Sequence, residues 1–281
     1  MGERWCDIRH ALAENPLTIL ALALLAVLFA AAVFGPWLAP YDPLATNTAM
    51  ALRPPSAVHP FGTDQLGRDI FSRVVVATRL DLAIAAGAVA LSLGVGAVIG
   101  AACGYFGGTL DRAVGRLVDV LIAFPLFALG MVMAAALGNS VSSVVYATAV
   151  INLPFYIRLA RAETGVRRDM GYVEAARVGG SSHTRVLRVV LLPNIAPPLA
   201  VQASVNLGWA VLNAAGLSFI GLGVRAPTPE WGIMVAEGAG FIVSGQWWLV
   251  VFPGAARMTA GSPFKPAGDG LRDLLDPRSR T

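Results

Sequence analysis

Long apolar runs separated by short polar intervals set the pattern of this chain. The first runs from Leu17 to Leu38 without a charged residue, and Trp37 and Tyr41 stand at its far end as interfacial anchors. A bilayer core needs about 20 apolar residues per helix, so the run predicts a first transmembrane helix over 17–38. The polar residues 1–16 before it carry Arg4 and Arg9. A cleaved signal peptide has an apolar region of about 7–15 residues, and this run is longer. Runs over Leu82–Tyr105, Leu117–Leu137, Val144–Ile157 and Leu191–Gly223 predict further spans, with Pro125 placed to kink the third. A sixth run, Gly238–Ala256, is interrupted by Gly245, Gln246 and Pro253 and closed by Arg257. The expected class is all-α, a polytopic membrane protein of about six transmembrane helices.

The intervals carry local signals of their own. Residues 39–79 open on prolines and end in HPFGTDQLGRDIFSRVVVATR. There Thr63 or Asp64 can cap an amphipathic helix in which Asp69 and Arg73 pair at i,i+4, lying along the interface before the second span. Asp64 and Asp69 do not have the spacing of a calcium loop and read as structural. Residues 107–116 read as a charged turn, with Asp119 pairing back to Arg116. Gly87, Gly94, Gly96 and Gly100 in the second span allow close helix approach. Pro193, Pro197 and Pro198 crowd the start of the fifth span, where a first turn tolerates proline. Gln202, Asn206 and Asn213 are amides inside an apolar run, placed either to bond across a helix interface or to line a wet path. Residues Pro229–Phe241 read as a re-entrant or interfacial helix.

The longest polar interval after residue 80 is YVEAARVGGSSHTRVLRVVLLP, Tyr172–Pro193. Tyr172–Val178 has helix formers and small alanines, enough for two turns that seat closely on another surface. Gly179-Gly180 permits a left-handed stop. Ser181-Ser182 can cap a second helix, whose Val186, Leu187, Val190 and Leu191 form an apolar face beside Arg185 and Arg188. Two short helices around a tight corner make a knob suited to a cleft on a partner.

Composition narrows the classes. The chain of 281 residues is 56% hydrophobic and 14% charged, with a mean hydropathy of +0.66, which excludes a soluble domain. Cys6 and Cys103 lie far apart, and His10, His59 and His183 are scattered, so neither a disulfide framework nor a metal site is indicated. The net charge of +4 comes almost wholly from arginine and is read by its side of the membrane, not as nucleic-acid binding. No Gly-rich loop with Lys-Ser/Thr is present, so the chain has no ATP cradle of its own. No intramembrane acid pair speaks for proton coupling, and no nucleophile–base set for catalysis. Most arginines fall in the 107–116 loop, at 158–188 and in the C-terminal tail, which favours an arrangement with both termini inside.

Three stretches carry a family resemblance. The spacing E-A-A-x3-G-x9-[IV]-x-L-P, from Glu174 to Pro193, resembles the cytoplasmic loop of permease subunits of ATP-binding-cassette importers. The stretch H-P-x-G-T-D-x-L-G-R-D-x-x-S-R from His59 and the run AGLSFIGLGVRAPTPEWG are similar to the C-type permease of dipeptide and oligopeptide importers. The resemblance spans roughly residues 10–281. It implies a type I importer core over 80–268 with a coupling loop at 170–193, a cytoplasmic N-terminus (1–16) and tail (269–281), and an external loop over 39–79. It implies a bacterial cell membrane location, a homologous B-type permease, two ATPase subunits (or one fused) and an extracytoplasmic binding protein for dipeptides, oligopeptides or a related ligand such as haem or nickel. It places no cofactor in this chain, with ATP and Mg on the ATPase subunits. On that reading Tyr172, Glu174, Ala175, Ala176, Gly180, Leu192 and Pro193 form the coupling loop. Glu174 orients its helix near the N-terminal end, the alanines allow seating and Gly180 makes the corner. The rival is a proton-coupled secondary transporter, which should show an internal repeat and a mid-membrane carboxylate. The segment AARMTAGSPFKPA, with Arg257, Pro263, Lys265 and Pro266, departs from the family's apolar last helix. The last span is therefore expected to shift toward Phe241–Ala260 or to pack poorly.

Overall fold

The computed structural model describes residues 16–275, with side-chain surroundings as far as 270, and no strand forms among them. The N-terminal residues with Arg4, Cys6, Arg9 and His10, and Arg278 and Arg280 of the tail, lie outside the described residues. Helix α1 (Pro16–Leu38) is apolar all round and almost wholly exposed, as a lipid-facing helix must be.

Helix α2 (Ile70–Phe106) is continuous over 37 residues. It absorbs both the predicted interfacial helix and the predicted second span, and at about 1.5 Å per residue it is roughly 55 Å long. Its N-cap is Asp69, whose carboxylate accepts from the Ser72 N–H at 2.8 Å, in place of the predicted Thr63 or Asp64. The predicted Asp69–Arg73 pair does not form. Asp69 accepts instead from His59 Nδ1 at 2.8 Å, while Arg73 turns to Asp64 and Glu237, each at 3.8 Å. Arg68 joins them, 2.5 Å from Asp64 and 3.2 Å from Glu237. Asp64, Arg68 and Arg73 are buried, so this cluster fastens the 39–69 loop to α2 and to the later helix bearing Glu237. Asp64 and Asp69 are thus structural.

Helices α3 (Gly108–Ala123) and α4 (Leu126–Leu137) meet at a bend of 100°. Pro125 forces the residue before it out of the helical region, and Phe124 is extended at φ −75°, ψ 136°. Residues 108–116, expected as a turn, are helical. Asp119 pairs not with Arg116 but with Arg158 across the gap to α5 (Val141–Arg167), at 2.7 Å. Arg161 reaches Asp111 in the same way at 2.5 Å. These pairs border a cavity of about 760 Å³ between α2, α3 and α5.

Helix α5 lies along α2 over a stripe of small residues. A Cβ on Gly96 would stand 2.6 Å from Tyr156 Cβ, and Gly100 and Gly104 press on the Ile157 and Arg161 carbonyls. Gly94, by contrast, faces open space. Next come the short α6 (Gly171–Val178) and α7, a single 37-residue run over His183–Phe219. The predicted second loop helix and fifth span are therefore one rod. Pro193, Pro197 and Pro198 sit inside it, not in a first turn, and the ladder widens to π geometry over Val186–Leu191, with Leu192 N–H donating to the Leu187 carbonyl. Pro193 offers no N–H and crowds the carbonyl four residues back, which accounts for the widening.

Helix α8 (Trp231–Ala239) packs against α7 and against α9 (Trp248–Gly261), and α10 (Phe264–Leu275) packs on α7 and α1. The last apolar run is thus helical over Trp248–Gly261, ending one residue past the expected Phe241–Ala260 stretch and starting seven residues into it. Residues 240–247 are turns, and two short helices follow, divided near Ser262-Pro263. The expected core boundary at 268 falls inside α10. By length and composition four helices can cross a membrane, or five if the bent α3–α4 pair is one span, against the six expected.

Candidate functional site

The 170–193 interval folds as a knob on the end of the bundle. Helix α6 spans Gly171–Val178 and lays one face inward. Val173 is wholly buried with Val186, Leu191 and Tyr105, and Ala176, Leu187 and Val190 pack beside them. The predicted apolar face is therefore the seat of the knob. Tyr172, Glu174 and Ala175 remain exposed, and Val178 is 84% exposed at the tip. Glu174 sits in the first turn of α6, where a carboxylate faces the positive end of the helix dipole.

The corner follows from Gly180, at φ +78°. Its N–H donates to the Arg177 carbonyl at 3.0 Å, and the Ser181 N–H donates back to Ala176 at 3.0 Å. This is the paired Schellman arrangement, which needs a left-handed residue at Gly180's place. Ser182 then caps α7 by accepting from the Arg185 N–H at 3.3 Å. Leu192 is half-buried and Pro193 exposed where the π turn ends. The knob is thus joined to α7 without a break.

Residues not singled out in the sequence hold the knob in place. The buried Tyr105, one residue from the end of α2, brings its hydroxyl to 2.9 Å of His183 Nδ1, and Arg177 Nε donates to the same oxygen at 3.3 Å. The Arg177 guanidinium lies 4.9 Å from the centre of the Tyr105 ring. Phe106 packs edge-on against Tyr105 and His183. Tyr105 reads in the sequence only as the end of an apolar run.

The amides separate into two groups. Gln202 Nε2 donates to Asn206 Oδ1 one turn away at 2.9 Å, and the buried Tyr156 hydroxyl of α5 approaches Asn206. Asn213 lies half-buried two turns further on and does not join them.

An acid pair does form inside the protein. The buried Asp81 carboxyl of α2 lies beside the buried Glu230, with Arg257 of α9 nearby. Glu230 caps α8 by accepting from the Gly232 and Ile233 N–H groups, each at 2.8 Å, and Asp81 accepts from Trp231 N–H at 3.2 Å. Arg257 also donates to the Leu212 carbonyl of α7. The pair is a fastening between helices, with both Glu230 oxygens and Asp81 Oδ2 accepting from the first turn of α8 and its entry. Among the described residues no cluster of metal-binding side chains forms.

Residues 96–281 match the family described as the binding-protein-dependent transport system inner membrane component, and residues 3–55 match the N-terminal transmembrane domain of oligopeptide transport permease C. The chain belongs to this family of transport permeases. It is 42% identical over 265 residues to the probable D,D-dipeptide transport system permease protein DdpC of Escherichia coli (strain K12), covering 94% of this chain and 89% of that one. It is 38% identical to the dipeptide transport system permease protein DppC of Alkalihalophilus pseudofirmus, over 99% of this chain and 91% of the relative. The nickel transport system permease protein NikC of Escherichia coli (strain K12) is 39% identical, over 92% of this chain and 93% of NikC. A chain from the inward-facing structures of the MetNI methionine ABC transporter aligns with a TM-score of 0.54 at 20% identity, covering 73% of this permease and 97% of that chain. That likeness establishes the shared fold alone.

Proposed function

We propose that this permease forms half of the translocation path of an ATP-driven importer for dipeptides or oligopeptides, and that residues 170–193 couple it to the ATPase subunits. The observation that carries the reading is the knob itself, an exposed Glu174 helix seated on α2 and continuous with α7, so that a push on the knob moves two long helices. The peptide-permease relatives favour a peptide cargo over the nickel carried by NikC. The partners are a homologous permease, two ATPase subunits that hold ATP and Mg, and an external binding protein.

Orientation follows from charge. Arg158–Arg188 surround the knob, whereas on the opposite side Arg68 and Arg73 are buried and offset by Asp64 and Glu237. Arg53, Arg79 and Arg225 are exposed on that side, but they are fewer than the exposed arginines around the knob, so the balance of positive charge favours a cytoplasmic knob, with the N-terminus and tail on the same side. ATP closure of the ATPase dimer would carry the knob and rock the spans, and docking of the binding protein outside would bias the same equilibrium.

The buried Asp81–Glu230 pair raises the rival reading of proton coupling. Depth argues against it. Asp81 lies 25 residues from Phe106, about 37 Å along α2, beyond a hydrocarbon core of about 30 Å measured from the knob's end. A mid-membrane relay needs a shallower position.

The test is ATP hydrolysis by the complex, co-expressed with its neighbouring subunits in lipid nanodiscs, comparing wild type with Glu174→Arg plus Gly180→Pro. Proline fixes φ near −65° and cannot occupy Gly180's left-handed place. Stimulation by loaded binding protein, present in wild type and lost in the assembled variant, supports the proposal. A chain that recruits no ATPase and moves solute under a proton gradient refutes it.

A further inference from the structure

We infer that Tyr105 is a positioning residue that locks the coupling knob to the inner end of α2, so that one helix links the knob to the external loop. The inference rests on the coupling-loop reading above and adds a residue and a route to it. Helix α2 is fastened at both ends. At its outer end Asp69 caps it, and the Asp64–Arg68–Arg73–Glu237 cluster binds it to the 39–69 loop. At its inner end Tyr105 is buried, with its hydroxyl against His183 at the start of α7 and against Arg177 in the last turn of α6. The two partners flank the Gly180 corner, so a single hydroxyl closes the loop across its own neck. The ring supplies a second hold through Arg177 over its face and Phe106 and His183 at its edges.

Between its ends α2 offers little slack. It has no proline, and Gly96, Gly100 and Gly104 are pressed on the α5 backbone. A displacement of the knob is therefore passed to α2 as a body, over about 55 Å, and reaches the external loop. A hinge at the knob's neck would break this link, and the Tyr105 hydroxyl is what removes that hinge.

Tyr105→Phe tests this directly, because it keeps the buried ring and the cation–π contact and removes only the hydroxyl. Loss of two hydrogen bonds is expected to loosen the docked knob by about tenfold. The assembled complex in nanodiscs should show a ratio of binding-protein-stimulated to basal ATP hydrolysis lowered by about that factor. Spin labels at Val178 and Val98 should give a broadened distance distribution. His183→Leu, which leaves Tyr105 in place, should act similarly, and the double variant should add little to either single one. An unchanged ratio and an unbroadened distance in both single variants overturn the proposal. If those results accompany lost stimulation in the Glu174→Arg, Gly180→Pro variant, only the Tyr105 lock is wrong. If that variant too keeps full stimulation, the coupling-loop reading itself fails.

Discussion

Replacing Gly96 by alanine should part α2 from α5, whereas the same change at Gly94 should not. The new methyl at position 96 would stand 2.6 Å from Tyr156 Cβ and 3.3 Å from Ile157 N. Carbon atoms rest at about 3.5–4.0 Å, so the helices must separate by roughly 1 Å at this point. Tyr156 cannot yield, because the contact is to its Cβ and the residue is wholly buried. Overpacking of this kind costs about 1–3 kcal/mol. Alanine regains up to about 1 kcal/mol over glycine in a helix, but it does so equally at position 94, where nothing lies within 4 Å. The difference between the two variants is therefore the packing cost alone, about 1–3 kcal/mol or roughly 5- to 150-fold in a local opening equilibrium. Cys103, buried on the same helix two turns on, provides the reporter. In a Cys6→Ser background the maleimide labelling rate of Cys103 in native membranes should rise for Gly96→Ala and stay at the parent rate for Gly94→Ala. Equal labelling and equal thermal midpoints for the two variants would refute the close packing of α2 on α5.

Other consequences follow from single contacts. Arg68→Met leaves the Asp64 and Glu237 carboxylates sharing Arg73 alone, at 3.8 Å from each, a loss of up to about 3–5 kcal/mol; limited proteolysis should then cut within 39–69, and a loop as resistant as wild type would contradict the cluster's fastening role. Pro193→Ala restores a donor to the ladder and should let the π turn relax to α geometry, turning the knob by about 100° about the α7 axis. Spin labels at Val178 and Val166 should register that turn as a shifted distance, and an unshifted one would show that proline does not set the π turn. A cysteine scan of 258–268 should label positions 258, 259, 262 and 265 and spare 260, 263, 264 and 268; uniform protection would mean one buried span in place of α9 and α10.

Local chemistry made α1 and the α6 corner legible, whereas α5 starts three residues before the expected Val144 and runs ten past the expected Ile157, to Arg167. Leu17–Leu38 admits no other reading in lipid, and Gly180 is the residue a Schellman stop requires. Helix α2 was harder to read because its first third carries Arg73, Arg79 and Asp81, which in isolation look like an interfacial surface. The structure buries Arg73 and Asp81 by bringing partners from far along the chain, with Glu237 169 residues from Arg68 and Trp231 150 residues from Asp81. Hydropathy averaged over a window cannot register a charge whose counter-charge is that distant. The same cause hid the acid pair: Asp81 and Glu230 are unremarkable apart and acquire meaning only when α8 folds against α2.

The knob divides along the same line. Its shape is set by neighbours in sequence, so Glu174, Gly180 and the apolar positions 186–191 could be read before any fold was known. Its anchorage is set by Tyr105, 78 residues from His183, and no motif marks that tyrosine. A mark does exist in the register of the glycines. Gly96, Gly100 and Gly104 recur every four residues, so α5 lies against α2 up to its last turn, and the chain must then leave α5 and return to α7 beside the end of α2. An aromatic residue with a hydrogen-bonding tip, placed directly after the last glycine of such a stripe, is positioned to meet whatever the returning chain presents. The two faces of the knob follow from that geometry. The inner face is fixed by α2, and the outer face, with Tyr172, Glu174 and Val178, is left for a partner.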